Sequence, residues 1–75
     1  MERKYVIQVF DARTDEPFGY ISGLHTESGT LLVPDFNEDV AYADRYSTKE
    51  EADNERNFWE NMYSCYIFKV KAVKN

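Results

Sequence analysis

Apolar and polar positions alternate most cleanly near the C-terminal end of the chain. Tyr66, Phe68, Val70 and Ala72 fall on one side, Lys69 and Lys71 on the other. This period of two predicts a strand over residues 65–73 with one buried face. Residues 4–10 are as strand-like: Tyr5, Ile7 and Val9 share one side, Val6 and Phe10 the other, and all five favour extended backbone. A polar stretch over residues 11–17 ends at Pro17 and reads as a turn. Residues 18–24 follow as a second strand, weakened by Gly19 and Gly23, that pairs with the first as an antiparallel hairpin. Residues 25–29 form the next turn, and a third short strand over residues 30–33 stops at Pro34.

The pattern changes after Tyr46. Ala52, Glu55, Trp59 and Met62 fall on one stripe of a helix over residues 48–62, with Phe58 and Tyr63 on its flank. Ser47 with Glu50 matches a capping box, and Thr48 with Glu51 matches it one residue later. Asn54, Asn57 and Asn61 are mediocre helix formers, so packing by Phe58 and Trp59 must hold the helix. Between strands and helix the signal is weak. Asp35 can cap a single helical turn through Val40 or the stretch can be irregular, and residues 43–46 can add a short strand or bridge.

Together these elements predict one α+β domain over residues 1–75, in the order β-β-β-α-β. The expected sheet is mostly antiparallel with strand order 3-2-1-4, and the helix packs on one face. The helix serves as a right-handed crossover that returns the last strand beside the first and parallel to it. Trp59 is expected between helix and sheet, near Phe68, Val70 and either Ile7 or Val6. The other face has no second layer, and an uncovered aromatic face predicts a partner or a homodimer.

Composition narrows the function. An aromatic content of 16% supports a packed core in 75 residues. The net charge of −5 argues against direct nucleic-acid binding, which needs clustered Lys and Arg. Nine acids against three bases crowd residues 35–60, while Arg3, Lys4, Lys69, Lys71 and Lys74 lie near the ends. The lone Cys65 excludes an internal disulfide and fits a reduced, cytoplasmic setting. No apolar leader or membrane-length run appears, so no membrane association is expected.

Catalytic and metal chemistry find little footing. Asp35, Asn37 and Asp39 match the opening of a calcium loop, but Val40 stands where glycine is needed and Tyr46 where a bidentate Glu is needed. His25, the only histidine, reads as a solvated turn residue with no second ligand nearby. Gly19, Gly23 and Gly29 are too dispersed to cradle phosphate. The expectation is therefore a protein with no catalytic residues, no cofactor and no metal, acting by binding another protein. The candidate interaction surface combines Tyr5 and Tyr20, as aromatic anchors, with Asp35, Glu38, Asp39 and Asp44.

Several stretches carry a resemblance. Lys4-Tyr5-Val6-Ile7, Gly19-Tyr20-Ile21-Ser22, Ala43-Asp44-Arg45-Tyr46-Ser47-Thr48, Lys49-Glu50-Glu51-Ala52 and Phe68-Lys69-Val70 resemble a loose class of small, uncharacterised phage and prophage proteins. The resemblance spans most of the chain and implies an accessory protein of a mobile element, with no catalytic residues to carry over. It also implies an alternative to a binding adaptor: an acidic inhibitor of a host defence nuclease, of the anti-CRISPR type, whose carboxylates mimic nucleic-acid phosphates.

Overall fold

The computed structural model describes residues 3–29 and 31–74, without the side chains of Arg3, Glu27 and Leu31. Four strands, β1 (Arg3–Asp11), β2 (Pro17–Glu27), β3 (Leu31–Asn37) and β4 (Tyr66–Lys74), form one sheet in the order β3-β2-β1-β4. One helix, α1 (Lys49–Met62), packs on the face of β4 and β1. Thr48 is its N-cap, accepting a hydrogen bond from the Glu51 N–H at 3.1 Å. The later of the two sequence-matched caps is thus the one the chain uses. Glu50 and Glu51 occupy the first turn, where the helix dipole favours negative charge.

The core lies between α1 and the sheet. Ile7 and Val9 of β1, Ile21 of β2, Phe68 of β4 and Trp59 of α1 form one buried cluster, as the strand alternation predicts. Val6 points to the opposite face, yet it is also fully buried. β4 supplies part of the cover. Lys71 stands opposite Val6, and its ammonium lies 6.0 Å from the Tyr20 ring on β2. Its aliphatic stem therefore crosses over β1. Lys69 likewise places its ammonium 5.2 Å from the Phe10 ring. Lysine stems and cation–π contacts thus cover part of the face without a helix. The exposed large apolar side chains among the described residues are Phe18, Leu24, Tyr42, Phe58 and Met62. Phe18 borders this face beside Gln8 and Tyr20, while Phe10 and Tyr20 themselves are half-buried, so the face expected to be bare is partly covered.

Three further expectations need correction. First, β4 runs antiparallel to β1 along all nine residues, not parallel. The reason is the path between β3 and α1. A 3-10 turn at Val40–Tyr42 and an extended segment carry the chain back to the start of β1, where Tyr46 and Tyr5 exchange backbone hydrogen bonds of 3.0 and 2.8 Å. The helix then makes the outward trip and β4 the return. Second, Pro34 does not stop β3. It pairs opposite Leu24 on an edge strand, where a missing N–H removes no ladder bond. Asp35 is consequently a strand residue, and Asp39 caps the turn in its place. Third, β2 continues past Leu24, so His25 is a strand residue opposite Val33 and not part of a turn. Thr30, the expected start of the third strand, lies outside the described residues.

Candidate interaction site

Gly19 builds the most developed surface feature. It has φ +143°, and a Cβ there would lie 2.8 Å from the Asn37 carbonyl oxygen. Only glycine lets the end of β3 come this close to β2. The register then slips between Val9 and Phe10, so that Pro17 pairs with Phe10. Phe18 turns into an aromatic cluster, 5.1 Å from Phe36 edge-to-face and 5.3 Å from Tyr66. It remains 45% exposed.

Two concavities flank Phe18. One, of about 280 Å³, lies against Gln8, Gly19 and Tyr20. The other, of about 520 Å³, lies against Pro34, Asp35 and Phe36. Pro17, Phe18 and Glu38 line both. Glu38 is exposed, and no hydrogen bond or ion pair engages its carboxylate among the described residues. The corner therefore offers an unengaged anion set among aromatic and proline walls. Such a site suits a cationic side chain, through an ion pair and the ring faces together.

The structure gathers Tyr20, Asp35 and Glu38 at this corner and sends the other three candidate residues elsewhere. Tyr5 shares the helix face with Ile7, whereas Tyr20 stands opposite Gln8 on the other face. The two tyrosines therefore form no common surface. The Asp35 Oδ1 lies 2.6 Å from His25 Nδ1. The Asp39 carboxylate accepts the Ala41 N–H at 2.9 Å, and the Asp44 carboxylate accepts the Gly23 N–H at 2.7 Å. These three acids hold the fold's own loops and edges. Phe18, Phe36 and Gly19 were not legible as site residues. Their only sequence signal was the Pro-Phe-Gly-Tyr run, which reads equally well as an ordinary strand start.

A second groove, of about 390 Å³, lies between α1 and the bridge residue Tyr46, against Glu51, Glu55 and Phe58. The Tyr46 phenol is pushed well above its ordinary range, chiefly by burial and further by the charges of Glu55 and Asp44. Asp35 and Asn37, the first two positions of the calcium-loop match, lie in β3 and not in a loop. Cys65 is exposed beside the start of β4, at the opposite end of the sheet from His25. No helix among the described residues is long and apolar enough to cross a membrane. Comparison of the chain with known protein families, with curated proteins and with solved structures finds no match.

Proposed function

We propose that this chain is a small non-catalytic binding protein of phage or prophage origin, acting in the host cytoplasm, that holds a basic protein partner at the Phe18 corner. One observation carries this reading: the unengaged Glu38 carboxylate sits on the shared rim of two aromatic-walled concavities. An arginine or lysine of the partner enters beside Phe18 and pairs with Glu38, and the ring faces add to the attraction. Aromatic anchors of this kind carry a large share of interface energy.

The exposed Glu50 and Glu51 of α1 favour a second reading, the acidic mimic that blocks a defence nuclease. That reading also draws on Asp35, Asp39 and Asp44, and each of these is already engaged within the fold. The corner is therefore preferred. Affinity capture from host lysate with the wild-type chain, followed by titration of the captured protein, tests both. Phe18→Ala or Glu38→Gln should weaken binding by about tenfold or more, equivalent to ~1.4 kcal/mol. Binding that ignores both substitutions but collapses with rising salt and with Glu50→Gln/Glu51→Gln would transfer the function to the mimic.

A further inference from the structure

The two edges of the sheet are built differently. The β3 edge is short, carries Pro34 and follows a register shift against β2. Pro and irregular pairing are ordinary means of blunting an edge. The β4 edge has neither, and its only guard of this kind among the described residues is charge, from the exposed Lys69 and Lys71. Its nine residues pair with β1 without a shift, and no strand lies beyond it among the described residues.

The direction of its backbone groups follows from β1. Tyr5 exchanges both of its backbone hydrogen bonds with Tyr46, so its N–H and C=O point away from β4. Alternation then turns Lys4, Val6, Gln8 and Phe10 toward β4, where they face Val73, Lys71, Lys69 and Ile67. The N–H and C=O groups of Phe68, Val70 and Ala72 are left pointing outward.

We infer that this free edge of β4 accepts an extended acidic segment of a partner protein by strand addition. The backbone groups of Phe68, Val70 and Ala72 would supply the ladder, and Lys69 and Lys71 would select for Glu or Asp at alternate positions. Both lysines are exposed although their ammoniums rest over rings. The same charges argue against a second copy as the occupant. An antiparallel pairing of β4 with itself about Val70 would set Lys69 of each copy against Lys71 of the other. This surface is separate from the Phe18 corner, so each can fail without the other. A chain that uses both would bridge two partners, one basic and one acidic.

The test uses a terminally capped heptapeptide alternating glutamate and valine, and a control alternating lysine and valine. Amide hydrogen exchange is followed residue by residue. The glutamate peptide should slow exchange at Phe68, Val70 and Ala72 about tenfold, and the lysine peptide should not. Val70→Pro removes an outward donor while leaving the β1 ladder intact, and should abolish the protection. Lys69→Glu/Lys71→Glu should reverse the peptide preference, and this pair keeps the test decisive if the proline variant does not fold. Equal protection by both peptides, or none at millimolar glutamate peptide, overturns the proposal. Protection that grows with protein concentration in the absence of peptide also overturns it, in favour of a second copy.

Discussion

Trp59 and Phe58 are neighbours on α1 with rings 4.9 Å apart, yet they differ sharply in burial. Trp59 is 1% exposed at the centre of the core, and Phe58 is 42% exposed. Replacing Trp59 with alanine removes an indole from a site enclosed by Ile7, Val9, Ile21 and Phe68, at an expected cost of ~3–5 kcal/mol. A domain of 75 residues has about 4–11 kcal/mol in all, so this one change consumes a large part of it. Phe58→Ala gives up contact on one side only and should cost about 1–2 kcal/mol. With a urea m-value of ~1 kcal/mol/M, the tryptophan variant should lose roughly 3 M or more of its midpoint, or be unfolded in water. Urea unfolding followed by far-UV circular dichroism separates the two variants. Equal midpoint losses, or a larger loss for Phe58→Ala, would mean that α1 is rotated about its axis and that the core assignment is wrong.

Three other outcomes are expected. Gly19→Ala meets the Asn37 carbonyl at 2.8 Å in a backbone conformation that disfavours side chains; it should cost roughly 1–3 kcal/mol in thermal or urea unfolding and weaken partner binding by moving Glu38. Tyr63→Phe removes the hydrogen bond from its hydroxyl to the Leu32 carbonyl at 2.9 Å, which ties the end of α1 to β3, for about 1 kcal/mol. Tyr46 has a folded pKa raised above its ordinary 10.0, so the unfolded chain loses that proton first. Its contribution is complete below pH 10.0 and is lost as pH rises through the folded value. Stability measured across alkaline pH should therefore fall above pH 10.0, and Tyr46→Phe should reduce that fall.

The parts of the fold that could be read from the sequence were those set by local rules. The two-residue alternation of β4 placed Phe68 in the core with Tyr66 and Val70 half-buried on the same side, although Ala72 at the end of that row is exposed, and the paired capping signals bracketed the start of α1 to within one residue. What could not be read depends on partners distant in sequence. Whether Pro34 ends a strand depends on its being at an edge, which the residue itself does not encode. Whether Tyr5 and Tyr20 share a face depends on the parity of the Gln8–Tyr20 pairing. The direction of β4 depended on residues 38–46, where weak local preference hid a return path held by Asp39, Asp44 and Tyr46. The candidate site suffered likewise. Glu38 was visible as an acid, but its place beside Phe18 follows from the close approach at Gly19.

The bridge between Tyr5 and Tyr46 bears on how the molecule is made. In the order of synthesis β1 comes first, but Tyr46 and the whole of β4 come much later. Of the sheet pairings, those of β2 with β1 and β3 join consecutive segments, and the β1–β2 ladder is confined to residues 8–10 of β1. During translation, then, β2 and β3 can zip early while the leading half of β1 waits with both sides open. Long-range closure of this kind slows folding, and here it makes completion of the sheet conditional on the final strand. A nascent chain halted within α1 already contains Tyr46 but still lacks β4, so the side of the first strand that β4 covers would stay unpaired, a ready substrate for chaperones and proteases.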